Sequence, residues 1–214
     1  MKTIPYEDKF SLTTLDLMKS LLSNDGVVIY PTDTLYGIGG NFCSPAVIDK
    51  IDGIKKRASS PYSVIVPNLV MLEGLVNYIP DIFFKFYRLL LPGKFTFIFS
   101  ASSSINPVLL KGSNKIGIRI PQIPGILDLV AKLGFPLITT SVNFSGEKPL
   151  NDPTQILKEF SNLQSQNSVD IFIDKGVLPE SSGSTILDIT EEPIRCIRKG
   201  EDFYRIEELG IPII

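Results

Sequence analysis

The chain has 214 residues, 43% of them apolar, with 21 Lys and Arg against 23 Asp and Glu and no histidine. That length can bury a substantial core as a single domain over 1–214, and the near-balanced charge gives no global field for tight non-specific binding to nucleic acid, so any anion site must be local. The missing histidine excludes Ser-His-Asp and Cys-His catalysis, and the two distant cysteines, Cys43 and Cys196, form neither a CxxC pair nor a zinc set.

The start, MKTIPYEDKF, carries charge throughout and lacks the apolar stretch of a secretory signal. No apolar run reaches the ~18 residues needed to cross a membrane, so a cytoplasmic protein with reduced thiols is expected. SLTTLDLMKSLLSN (11–24) sets Leu15, Met18 and Leu22 on one side, behind Ser and Thr cap candidates and ahead of Gly26. This predicts an amphipathic helix leading into the strand VVIY. PTDTLYGIGG (31–40) follows that strand as a loop dense in hydroxyls and glycines. PAVIDKIDGIKKR, with Pro45 near its first turn and Val47, Ile48, Ile51 and Ile54 on one face, predicts a second helix with a basic end. Next come a strand YSVIV (62–66), an apolar helical region from Leu69 to Leu91, the strands KFTFIFS (94–100) and KIGIRI (115–120), a helix near Gly125 to Leu133, and the strand PLITT (136–140). After a helix around Thr154 to Phe160, SNLQSQNS reads as a surface loop, and VDIFID, STILDI and PIRCIR as closely spaced strands. The alternation predicts an α/β fold with a mixed sheet.

Familiar phosphate loops do not fit. LPGKFT has Arg88 where the first Walker glycine should stand and Phe95 where Ser or Thr should follow the lysine, and GIGG lacks the dinucleotide spacing. Four other segments place hydroxyls, small residues or cations beside a strand end: PTDTLYGIGG, Lys55-Lys56-Arg57, TTSVNFSG and SSGST. Strand-end loops are where an α/β sheet collects ligands. Arg119 in GIRIP and Arg198 in IRKG set guanidiniums in otherwise apolar strands, where a charge needs a partner. Together these describe a polyanion site. Singly, each has a plainer reading: hydroxyl-bonded turns, cations complementing a helix dipole, or arginines in structural ion pairs.

In this order, PTDTLYG, K-x-R followed by PYSVIV, LPGKFTF, GIRIP, TTSVNFSG, GSTILD and IRKG resemble the YrdC-like family, the threonylcarbamoyl-AMP synthases, from about the first helix to Gly200. The resemblance implies a twisted open mixed sheet flanked by helices, with a basic concave groove. It implies a nucleotidyltransferase joining L-threonine, bicarbonate and ATP into threonylcarbamoyl-adenylate with release of pyrophosphate. Mg²⁺ would come with the ATP, with no metal held by protein side chains. The product would feed threonylcarbamoyladenosine modification of tRNA beside the anticodon through a separate transferase complex, and weak RNA binding is allowed. Carried over by residue, Lys55, Arg57, Ser141, Asn143 and Arg198 form the ATP site. Thr32, Arg119 and Ser184 contact threonine, with Tyr36 in the pocket wall and Arg119 gripping the carboxylate in a bidentate fork. No residue is assigned acid–base catalysis; alignment of two anions and charge neutralisation carry the reaction.

The chain departs from the family pattern at Val142, where Ser-Ala-Asn is usual, at Lys94, where Pro-Gly-Pro is usual, at Gln122, where a histidine is usual, and at Ile65, where some members have a histidine. Neither the long second domain of one branch nor the zinc-finger cysteines of the hydrogenase-maturation relatives is expected. The alternatives are a non-catalytic RNA-binding or ribosome-assembly module, marked by steep salt dependence, and a relative using carbamoyl phosphate.

Overall fold

A computed structural model describes residues 1–56, 61–163 and 167–214. Helix α1 (Leu12–Ser23) begins at Ser11, whose Oγ accepts from the Thr14 amide, and buries Leu15, Met18 and Leu22. Helix α2 (Pro45–Lys55) starts on its proline and ends at Lys56 in the left-handed conformation, φ 52°. The apolar stretch 69–91 is not one helix. It divides into α3 (Leu69–Glu73) and α4 (Asp81–Leu90), because Pro80 lacks the amide that a continuing helix would need. Helix α5 (Pro124–Leu133) stops at Gly134, φ 78°, and α6 (Pro153–Phe160) starts behind the Asp152 carboxylate, which accepts from the Thr154 amide. A short α7 (Tyr204–Glu208) was not foreseen in the sequence. Of the expected loop SNLQSQNS, residues 164–166 lie outside the described residues.

The strands are β1 (Lys2–Pro5), β2 (Val27–Pro31), β3 (Tyr36–Gly40), β4 (Ser63–Ile65), β5 (Phe95–Ser100), β6 (Lys115–Arg119), β7 (Leu137–Ser141), β8 (Ile171–Asp174), β9 (Thr185–Asp188) and β10 (Arg195–Arg198). They form one ten-stranded sheet in the order β1-β8-β2-β3-β7-β4-β6-β5-β9-β10. Pairing is parallel for β1·β8, β2·β8, β4·β6 and β5·β9 and antiparallel elsewhere, so the sheet is mixed and open as the sequence predicts. Strands β1 and β3 are additions. The last five residues of PTDTLYGIGG are not loop but β3, hairpinned onto β2, and their glycines hid a period-two pattern because glycine is a poor strand former.

Alternation along these strands decides where the cleft forms. Phe95, Phe97 and Phe99 of β5, Ile116 and Ile118 of β6, Tyr36 and Ile38 of β3, and Ile138 of β7 all enter one core with Ile51 and Ile54 of α2, Phe83 and Phe86 of α4, and Ile156 of α6. The opposite face carries a second core only where α1 and α5 cover it, through Met18, Leu22, Ile126 and Val130 against Val28, Tyr30 and Ile171. Further along that face the strands present Ser63, Thr96, Arg119, Thr139 and Ser141, which line a cleft instead. The polar half-face is thus the counterpart of an apolar one on the same strands. No helix among the described residues is long and apolar enough to cross a membrane.

Candidate functional site

The cleft is about 500 Å³, and Thr32, Tyr36, Arg119, Ser141, Ser184 and Arg198 are among its lining residues. That size suits a small organic ligand. Thr32 organises the β2–β3 turn: its Oγ1 donates to the Leu35 carbonyl at 2.6 Å and accepts from the amides of Thr34 and Leu35 at 3.2 and 3.1 Å. The plainer reading of PTDT, a hydroxyl-bonded turn, therefore holds for the Thr32 side chain even as it faces the cleft. Tyr36 donates from its hydroxyl to the Gly176 carbonyl at 2.8 Å and accepts from the Lys175 amide at 2.9 Å. Burial, partly offset by the Lys175 amide, pushes its phenol up to about 12, so it stays neutral at physiological pH. The glycines beside it serve packing more than ligand access. A Cβ on Gly39 would stand 1.7 Å from the Ile138 carbonyl oxygen, and one on Gly40 2.6 Å from that of Gly26, while only Gly37 lines the cleft.

Arg119 comes off the end of β6 with its side chain only 9% exposed. Its Nη2 donates to Asp33 Oδ1 at 2.9 Å and to Thr34 Oγ1 at 3.2 Å, and its buried Nε has no partner among the described residues. Both Nη2 hydrogens are thereby committed, so a bidentate grip through that nitrogen requires one of these bonds to be exchanged. Arg198 donates from Nε and Nη2 to the Ser184 carbonyl at 2.9 and 2.8 Å and from Nη2 to Ser184 Oγ at 3.1 Å, and that hydroxyl lies 2.8 Å from Thr96 Oγ1. Ser184 and Arg198, expected in separate subsites, are therefore direct partners. Desolvation and the nearby Arg119 guanidinium both lower the Arg198 pKa. The salt bridges of the described residues do not include Arg198, whose bonds go to a carbonyl and a hydroxyl. Its side chain is among those lining the cleft.

Lys55 is placed differently from a helix-end cation. It is 2% exposed, and its ammonium donates to the carbonyl of Ser141, to the carbonyl of Asn143 at 3.1 Å and to Asn143 Oδ1 at 2.9 Å. Ser141 Oγ also donates to Asn143 Oδ1 at 2.7 Å, and the Ser145 amide to the Lys55 carbonyl at 3.0 Å. Lys55 and Asn143 thus brace the end of β7 that presents Ser141, and they are not among the cleft-lining residues. Arg57 lies outside the described residues.

Sequence reading singled out the segments that hold Asp33, Thr34 and Thr139 without giving these residues roles of their own, and passed over Thr96. Thr96 and Thr139 were legible as the small polar residues alternating with Phe95, Phe97 and Ile138. Of the four departures, Val142 and Ile65 are fully buried in the two cores, and Lys94 pairs with Glu201 and Asp202 at 3.7 and 3.9 Å. The Gln122 amide donates to Asp33 Oδ2 at 2.8 Å, so its contribution here is from the main chain. Burial raises the thiols of Cys43 and Cys196, which disfavours the thiolate a nucleophile needs, and neither is among the cleft-lining residues. Among the described residues no group of three Asp, Glu or Cys gathers, and hydroxyls with guanidiniums do not fit a resident divalent cation.

The family model Sua5_yciO_yrdC, described as "Telomere recombination", matches residues 20–200. A Methanocaldococcus jannaschii protein named "Putative threonylcarbamoyl-AMP synthase" is 35% identical over 187 residues, covering 87% of this chain and 85% of its own length. A Mycobacterium tuberculosis protein of the same name is 30% identical over 175 residues, covering 81% of this chain and 78% of its own. Among solved structures, P. abyssi Sua5 complexed with L-threonine matches with a TM-score of 0.85 at 23% identity over 100% of this chain, which spans only 61% of that one. E. coli YciO matches with a TM-score of 0.78 at 22% identity over 94% of each chain. These two structures speak for the fold.

Proposed function

Because the chain belongs to the Sua5/YciO/YrdC family, we propose that it is a threonylcarbamoyl-AMP synthase, with its reaction in the cleft on the open half of the sheet. The threonine amine condenses with bicarbonate, losing water, to give a carbamate. A carbamate oxygen then forms a bond to the α-phosphorus of ATP as the bond from that phosphorus to the bridging oxygen breaks, and pyrophosphate leaves. The observation that carries this reading is the convergence of Arg119 and Arg198 on one hydroxyl-lined cleft, Arg198 making no salt bridge among the described residues. Fixed cations of that kind align two anions and offset charge developing on the phosphates without a proton-transferring residue.

In this reading Arg119 holds the threonine carboxylate, Thr32 and Ser184 contribute polar contacts, and Tyr36 forms wall. Arg198, Ser141 and, from the family pattern, Arg57 face the nucleotide phosphates, while Lys55 and Asn143 act by holding Ser141 in place. Magnesium enters bound to ATP, and no step is assigned to a protein-held metal. The product supplies a separate complex that modifies tRNA, which places the work in the cytoplasm.

The test is pyrophosphate release from ATP and Mg²⁺ with threonine and bicarbonate omitted in turn, with mass spectrometry of the adenylate. Release requiring both co-substrates is expected. Release indifferent to either, or none from folded protein that binds RNA with a steep salt dependence, overturns the proposal. Arg119→Ala is expected to raise the threonine KM by roughly 10- to 100-fold, the size of losing one charge-assisted contact. An effect on ATP alone would reassign Arg119 to the nucleotide.

A further inference from the structure

Among the described residues Asp33 is the carboxylate bonded to the Arg119 guanidinium, and nothing in the family pattern gives it a role. Its side chain is 6% exposed, and it is not among the residues lining the cleft. One oxygen accepts from Arg119 Nη2 at 2.9 Å and the other from the Gln122 amide at 2.8 Å. It stands on the β2–β3 turn, whereas Arg119 ends β6, and β7 and β4 lie between those elements in the sheet. The pair therefore bars the end of two intervening strands and ties the turn to the loop after β6. Thr34 takes the second Nη2 hydrogen at 3.2 Å, and Thr34 Oγ1 is itself 3.1 Å from Thr32 Oγ1. Both side-chain partners of the guanidinium thus come from the PTDT turn, and Nε has no partner among the described residues.

We propose that Asp33 is a positioning residue: held behind Arg119, it fixes the guanidinium's rotation and so decides which N–H edges a ligand carboxylate meets. An arginine has several rotatable bonds, and a charge-assisted bond at one nitrogen removes much of that freedom before a ligand arrives. The second Asp33 bond, to the Gln122 amide, fixes the carboxylate in turn. Asparagine in its place keeps the size and one acceptor but points a donor at one of these two donors, so the clamp is broken at one end.

The role for threonine rests on the proposed synthase reading, so the test has a readout independent of it. In the ligand-free protein, the Arg119 Nε–H signal in nitrogen-15 NMR spectra, identified by its loss in Arg119→Lys, is expected to be sharp and slowly exchanging. In Asp33→Asn and Asp33→Ala its exchange is expected to rise at least about tenfold, the signature of a freed side chain. The same variants are expected to raise the threonine KM about tenfold or more with a smaller change in kcat, while cooperative unfolding is retained. Unchanged Arg119 exchange in both variants overturns the assignment, whatever the kinetics. If exchange rises as stated but the wild-type protein neither binds nor uses threonine, the positioning role stands and the synthase reading falls.

Discussion

Lys55 keeps a buried charge because oxygens surround it. Its ammonium is received by two main-chain carbonyls and the Asn143 side chain. Lys55→Ala is therefore expected to lower stability by about 1.5–3 kcal/mol, the range for a hydrogen bond to a charged group, as well as to weaken ATP use. Denaturant unfolding checks the first and ATP kinetics the second; a fully stable variant would mean that the brace around Ser141 is unimportant. The sequence marked Lys55 as a site residue through its motif but could not show it buried, because a lysine closing a helix reads as a solvated cation. The carbonyls that receive it belong to the last residue of β7 and the segment after it, 86 and 88 residues away. Tyr36 is among the residues lining the cleft. Its hydroxyl partners, the Gly176 carbonyl and the Lys175 amide, come from the loop after β8 and were not legible.

At the scale of elements, one glycine in the β2–β3 hairpin and one just before β9 cannot be exchanged cheaply. Gly39 in β3 faces the backbone of β7, and the methyl of Gly39→Ala would overlap the Ile138 carbonyl oxygen. A loss of about 3 kcal/mol or more is expected by denaturant titration, since main chain rather than a flexible side chain must move. Gly183, just before β9, has φ 81°, and a Cβ there would lie 3.0 Å from Arg198 Nη2. Gly183→Ala should cost about 1–2 kcal/mol for the left-handed backbone and also displace Arg198, so its ATP KM should rise more than its threonine KM. Equal shifts in both would place Arg198 between the ligands. Most helices and eight of the strands were legible from periodicity, as α1 and β5 illustrate. The β3 strand was not, since three of its five residues are glycine. Within the 69–91 stretch, read as an apolar helical region, the missing amide of Pro80 marks where the second helix begins.

At the scale of the whole molecule, three tyrosines report on intact burial. Desolvation is the main cause that raises Tyr6 and Tyr36 to about 12 and Tyr30 higher still, against an ordinary phenol near 10. A raised folded-state pKa means that the unfolded chain loses its proton first. The stability tied to these groups is therefore fully present below about pH 10 and is lost as the pH rises from there toward about 12. Chemical denaturation across that window, followed by tyrosinate absorbance, should show falling stability together with late ionisation of three of the seven tyrosines. Ionisation of all seven near pH 10 with the fold intact would contradict it.

Sequence alone determined that this is a mixed α/β chain, where most of its helices and strands lie, and, through the order of its motifs, which family it resembles. Those are local or serial properties, carried by a period of two or 3.6 and by spacing along the chain. Tertiary structure decided the rest: that helices cover one half of the second face and leave the other as a cleft, that Lys55 points inward, that Ser184 and Arg198 are partners, and that Asp33 clamps Arg119 across 86 residues of sequence. Strand order and register bring those groups together, and both follow from packing between segments distant in the chain, which no window of sequence contains.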